Sequence, residues 1–265
     1  MKISKTWLYA VVAFLGLALV SNAPAANESI GVVVMHGKWG SPSGWTLNLV
    51  KALEHEGVLV ANLEMPWSDR RMYDKGLDDA MAEIDAAVQG LQKKGAKKVF
   101  VAGHSLGAAA VVRYGTRTTV DGLIVLAPGH FPEGQVFRNK LASSVKKARE
   151  MAQAGKGDDK AWFDDLNTGN RSKQVQVAAK VYLDYFDPDG PMNFQNNTAS
   201  LRAGVPILWV VGTAEEEGPK RLGALALKRI PANPRNKFVE VNSDHLDTPN
   251  KAIEPVITWI KEIAG

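Results

Sequence analysis

Ser105 stands in Gly103-His104-Ser105-Leu106-Gly107, behind the apolar run Val99–Ala102 and ahead of the alanine-rich stretch Ala108–Ala110. A serine between a buried strand and a helix, with glycine two residues away on each side, is the arrangement of a nucleophile elbow. A strand that reverses sharply into a helix crowds the flanking positions, so side chains there would clash. The turn holds the serine in a strained backbone conformation and leaves its hydroxyl exposed at the sheet edge. It also sets that hydroxyl at a helix N-terminus, where unpaired N–H groups favour developing negative charge. Nucleophilic attack is the chemistry this points to. A serine hydroxyl is hardly ionised near neutral pH, so it needs a base. That base needs a carboxylate to orient it, and an oxyanion needs two converging N–H groups.

The chain has five histidines. His55 falls in a predicted helix on a charged stretch and reads as solvated. His104 is chained to Ser105, too near along the backbone to turn onto it. His36 ends a strand, where a structural hydrogen bond is the plainer role. His130 follows another strand and is open between lining a pocket and packing. His245 lies in the polar loop Asn242–Asp247 after the last predicted strand. The carboxylate that would orient such a base is open among the triplet Glu215-Glu216-Glu217, which also reads as a charged helix start, Asp247 in the same loop, and Glu133.

The elements that must hold these groups are legible as an alternation. Ile30–Met35 is a continuous β-branched run, as a parallel strand covered on both faces requires. A helix follows over Trp45–Glu56, then a strand over Val58–Leu63, then a long helix beginning at Asp74 whose stripe is Leu77, Met81, Ile84, Val88 and Leu91. The strand Val99–Ala102, the helix from Leu106 and the strand Leu123–Leu126 continue the pattern. It resumes with strand Ile207–Val211, a helix around Leu222–Arg229, strand Lys237–Val241, and a last helix with a kink or restart at Pro255. Strand and helix in turn argue for one α/β/α layered domain with a mostly parallel sheet of about six strands. Residues 131–203 interrupt it. That is too long for a plain connection, and the stretch is expected to form an inserted helical cap, with Val136–Ala154 as a basic amphipathic helix.

His36-Gly37 after one strand, Gly103–Gly107 after another, an acid loop after a late strand and His245 after the last resemble the α/β-hydrolase superfamily. The resemblance spans nearly all of residues 27–265 outside the cap, with the first two strands of the full family sheet missing. It implies Ser105 as nucleophile, His245 as base, and Glu215 as acid with Glu216 as the alternative. It also implies an oxyanion hole from the backbone N–H groups of Lys38 and Leu106, the side chain of Lys38 being free to point to solvent. Trp39, Trp67, Arg70 and Arg71 lie on loops at the same sheet edge; the tryptophans, with His130, are candidates to line a substrate site. The arginines read as surface salt bridges before carboxylate binders. Trp162, Phe163, Tyr182, Tyr185 and Phe186 read as the cap's own packing before a cover for an acyl chain. The implied activity is hydrolysis of carboxylic esters through an acyl-enzyme, with thioesters or amides as alternative substrates. An inactive binding protein on the same fold is the reading from another class. An epoxide or haloalkane hydrolase would carry aspartate where Ser105 stands. No cofactor or metal is implied.

Lys2, Lys5, the uncharged run Trp7–Val20 and the small residues Ser21–Ala26 read as a signal peptide over residues 1–25, and hence as an exported, periplasmic or secreted protein. The run is shorter than the ~20 residues of a membrane-spanning helix. Without Lys2 and Lys5 the net charge falls from +4 to +2, too little to argue for nucleic acid or an anionic membrane surface. The chain has no cysteine, so it is neither disulfide-stapled nor lipid-anchored through a thiol. The expected partner is a small-molecule ester or lipid-like substrate; the oligomeric state is not readable.

Overall fold

The computed structural model describes residues 29–265; the signal-peptide reading of residues 1–25 lies outside them. The apolar runs become strands whose alternate side chains go to opposite layers. From β1 (Ile30–Met35) Val33 and Met35 join one apolar cluster while Val32 and Val34 join the other. The elements that follow are α1 (Leu47–His55), β2 (Leu59–Leu63), α2 (Leu77–Lys93), β3 (Lys98–Ser105), α3 (Leu106–Gly115) and β4 (Gly122–Pro128). After the insertion come β7 (Ile207–Gly212), α7 (Glu217–Leu227), β8 (Lys237–Val241), α8 (Thr248–Lys251) and α9 (Ile253–Ala264).

The main sheet has six strands in the order β2-β1-β3-β4-β7-β8, and every described pairing in it is parallel. One layer packs the stripe of α2 and the alanines of α3 on Val99 and Val101. The other packs Leu49 and Leu53 of α1 and Trp259 of α9 on Phe100 and Ala102. Burial of both faces is why the four central strands β1, β3, β4 and β7 read as unbroken apolar runs, whereas the edge strands β2 and β8 are half-buried or exposed. Every loop that carries a candidate group leaves a strand at its C-terminal end, where ligands bind in open parallel sheets.

Some boundaries move for local reasons. α2 starts at Leu77, not Asp74, because the preceding segment winds through turns with Met72 and Tyr73 at positive φ (49° and 58°). α7 starts at Glu217, not Leu222, with the glutamate in its first turn. Pro255 falls in the first turn of α9, where its missing N–H leaves no helix bond unmade.

The insertion is not purely helical. It holds α4 (Gln135–Gln153), α5 (Ala179–Phe186) and α6 (Phe194–Ala199), but also an antiparallel hairpin of β5 (Lys160–Leu166) and β6 (Ser172–Ala178). The hairpin faces the cap on one side only. Phe163, Asp165, Val175 and Val177 turn inward and are buried, while Trp162 and Gln176 face out. That period-two, half-polar pattern is invisible to a search for continuous apolar runs.

Candidate active site

Ser105 sits at φ 56°, ψ −114°, the left-handed region that a side chain rarely tolerates. The glycines around it are forced by contact. A Cβ on Gly107 would stand 2.7 Å from the carbonyl oxygen of His36, and one on Gly103 would fall on the carbonyl of Gly107 itself. The elbow therefore aims the hydroxyl by packing α3 against the end of β1.

His245 receives it. Its Nε2 is 2.9 Å from Ser105 Oγ, and its Nδ1 is 2.8 Å and 3.0 Å from the two carboxylate oxygens of Glu215. With Nδ1–H donating to the carboxylate, Nε2 is left to accept the serine proton. The loops bearing the two partners are zipped together: Thr213 N–H donates to Val241 O and Ala214 N–H to Ser243 O. Among the described residues no other carboxylate bonds to His245. Glu216 accepts from the Gly169 N–H instead, Glu133 accepts the N–H groups of Phe194 and Gln195, and Asp247 accepts from Asn250.

His104 is a support that sequence reading missed. Its Nε2–H donates to the backbone carbonyl of His245 at 2.8 Å, and burial pushes its pKa down from 6.5 to about 3. The sign for stability follows from where the proton goes. The unfolded chain protonates this ring as pH falls below 6.5, whereas the folded chain resists until about 3, so stability is lost as pH falls through that window. His36 and His130 are depressed by burial in the same direction. Thermal melts from pH 7 to 4 are expected to show a falling Tm, with a shallower fall in His104→Gln.

Gly129, just beyond β4, marks how tightly the pair is enclosed. A Cβ there would lie 2.9 Å from Ser105 Oγ and 2.7 Å from His245 Cε1. Gly129→Ala is expected to push the two apart and lower kcat by about 100-fold, the scale of a 1 Å misplacement. Its Tm should change little, because φ there is not left-handed.

The loop after His36 supplies the other side. The Lys38 N–H has no hydrogen-bond partner among the described residues, while its neighbours Trp39 and Gly40 donate to Trp67 O and Gly37 O. Leu106 opens α3, so its N–H has none within the helix. His36 keeps the loop in place: Nδ1–H donates to Gly37 O and Nε2 accepts from Met65 N–H. The Lys38 side chain does not point to solvent. It runs beneath the cap to an ion pair with Asp165, Nζ to Oδ1 at 2.7 Å, and a second bond to Leu166 O at 2.7 Å. Asp165 also accepts from Trp39 Nε1 and Tyr73 OH, each at 2.7 Å, and is wholly buried. One carboxylate of the cap thus grips two consecutive residues of this loop.

Beside Ser105 lies a cavity of about 260 Å³, bordered by His245, Trp39, Trp45, Thr46 and Arg171. Trp67 and His130 are not on its wall. Trp67 is fully buried with its Nε1–H on His36 O, and His130 donates to Tyr185 O between the rings of Phe137 and Phe186. The Trp67 N–H and His130 Nε2–H are taken up by backbone carbonyls, while His130 Nδ1 is buried without a partner.

The residue pattern of the alpha/beta hydrolase family matches residues 32–255. The chain belongs to that family. No curated protein matches this α/β hydrolase significantly in sequence. Among solved structures it is similar to a monoacylglycerol lipase of Paleococcus ferrophilus (TM-score 0.65, 18% identity, 88% of this chain and 94% of the other). Est1E of Butyrivibrio proteoclasticus, solved with ferulic acid bound, aligns with a TM-score of 0.61 at 18% identity over 91% and 90%. The α/β hydrolase GrgF of a Penicillium species gives a TM-score of 0.66 at 12% identity, with 91% of each chain covered. Identities this low speak for the fold.

Two further features of the hydrolase follow the plainer reading. Arg70 pairs with Glu64, and Arg71 with Glu83 and Asp74. Phe163 stacks on Tyr182 and Tyr182 on Phe186, at 4.5 Å in each case, which is packing inside the cap. Among the described residues no group of three His, Asp or Glu side chains is placed to hold a metal, and no helix is long and apolar enough to cross a membrane.

Proposed function

We propose that this hydrolase is an exported serine esterase that cleaves carboxylic esters through an acyl-enzyme on Ser105. The observation that carries the reading is the unbroken line Glu215–His245–Ser105, with contacts of 2.8 Å and 2.9 Å. His245 Nε2 takes the hydroxyl proton as Ser105 Oγ attacks the ester carbonyl. Glu215 holds the imidazole in the tautomer that can accept it and offsets the charge of the imidazolium. The N–H groups of Lys38 and Leu106 receive the oxyanion of the tetrahedral intermediate. His245 returns the proton to the leaving alkoxide as the C–O bond breaks, and the alcohol departs. Water, deprotonated by His245, then attacks the acyl-enzyme, and its collapse releases the acid and restores Ser105.

The structurally similar proteins described as lipases and esterases support the ester over other bonds, and the small cavity supports a short substrate. Export rests on Lys2, Lys5 and Trp7–Val20. The test is a panel of para-nitrophenyl esters, acyl-thioesters and anilides of matched chain length. Esters are expected to give the highest kcat/KM. A thioester or anilide preference would reassign the bond, and turnover of none of the three would leave the fold as a binding protein.

A further inference from the structure

The cavity beside Ser105 has a polar wall that the ester mechanism does not use. Thr46 caps α1 without bonding any of its N–H groups, and its hydroxyl has no partner although the residue is only 1% exposed. The N–H groups of Asn48 and Leu49 in the first turn of α1 likewise have no acceptor among the described residues. A buried hydroxyl left unpaired costs free energy unless something in the cavity bonds to it.

Arg171, at the tip of the β5–β6 hairpin, borders the same cavity. Its Nε–H donates to Thr168 O at 3.2 Å, and it forms no ion pair among the described residues. Glu216 and Asp244 border an adjoining cleft with it, where their charged carboxylates accept the N–H groups of Gly169 and Asp247 and make no ion pair with Arg171. No carboxylate lines the cavity itself, and the charge of Lys38 is already matched by Asp165. The chamber is therefore bordered by one guanidinium that forms no ion pair among the described residues, by a residue whose buried hydroxyl is unsatisfied and by the positive end of a helix, with no carboxylate on its own wall.

We propose that the ester cleaved at Ser105 carries a second, ionised carboxylate, held by Arg171 and Thr46 while the ester carbonyl faces the Lys38 and Leu106 N–H groups. A single negative charge balances a single guanidinium, which favours a carboxylate over a phosphate dianion. The planar fork of arginine can grip both carboxylate oxygens at once. This deepens the esterase reading above and rests on it.

Two matched pairs of substrates test it, one for each side of the ester bond. On the acyl side, mono(para-nitrophenyl) adipate is compared with para-nitrophenyl hexanoate. On the alcohol side, the butanoate ester of gamma-hydroxybutyrate is compared with butyl butanoate. The anionic member of at least one pair is expected to show a kcat/KM roughly tenfold or more above its neutral partner, the size of one charge-assisted hydrogen bond. In Arg171→Met that ratio should fall to near one, and Arg171→Lys should keep part of it. Thr46→Val should lower the ratio by a smaller factor, and added NaCl should raise KM for the anionic ester alone. Neutral esters hydrolysed with a ratio at or below one in both pairs would overturn the carboxylate site and leave the esterase standing. A ratio unchanged in Arg171→Met would overturn it too. If Ser105-dependent turnover is absent for all four esters, both readings fall together.

Discussion

Ser105→Ala is expected to lower kcat on para-nitrophenyl esters by on the order of 10⁴- to 10⁶-fold, with the protein as stable as the parent or slightly more so. Loss of a nucleophile on this scale is what removal of a serine from a cooperating triad costs, because the base and acid have nothing left to act on. Stability should not fall, since the parent side chain is held at φ 56° in a turn that gains nothing from the hydroxyl as packing. Steady-state rates and a thermal melt on the same preparation check both halves. His245→Ala should lose nearly as much rate, and the double variant little more than either alone. Multiplicative losses would mean that the two side chains do not act as a unit, whatever the 2.9 Å contact between them.

Asp165→Ala carries the second large effect, on stability and activity together. It leaves the Lys38 ammonium buried without a counter-charge, and orphans Trp39 Nε1–H and Tyr73 OH. Breaking a buried pair from one side costs about 3–5 kcal/mol, a drop in Tm on the order of 10 °C for a domain of this size. Burial already pushes the Lys38 pKa down against the pull of Asp165, so part of that cost should be relieved by loss of the lysine proton. The same change frees the loop that carries the Lys38 N–H, and kcat is expected to fall by about 10- to 100-fold with a smaller change in KM. Lys38→Met combined with Asp165→Leu separates the two consequences. It should recover most of the stability, because an apolar pair can replace a buried ion pair. It should not recover all of the rate, because Trp39 and Tyr73 would still lack their acceptor. A double variant as fast as the parent would show that the cap carboxylate does not position this loop.

The residues of the candidate site differ in how far the chain alone reveals them. Ser105 is announced by sterics, because only glycine fits at 103 and 107 where α3 meets β1. His245 and Glu215 follow from position, each in the loop after a late strand, and the choice among Glu215, Glu216 and Glu217 needed the register of the turn after Gly212. The four central strands were legible because both of their faces are buried. Within the cap the long helix was legible from its amphipathic stripe, Val136–Ala154 against the observed Gln135–Gln153, but the hairpin was not, since its residues alternate. Asp165 was hidden for the same reason: it reads as one more surface acid until residues 160–166 are taken as a strand, which sets it on the inward face with Phe163. Trp67 and His130 misled for a related reason. Both sit on loops at the correct sheet edge, but their ring N–H groups satisfy backbone carbonyls, a demand that residue type and spacing do not encode.

The most direct measurement is covalent labelling with a fluorophosphonate, followed by mass analysis of the proteolytic peptides. Phosphonylation is expected at a single residue, Ser105, with the label absent from Ser105→Ala and slowed in His245→Ala and Glu215→Gln. A parent protein that never labels, or one labelled at a different serine, would contradict the assignment of Ser105 as the nucleophile.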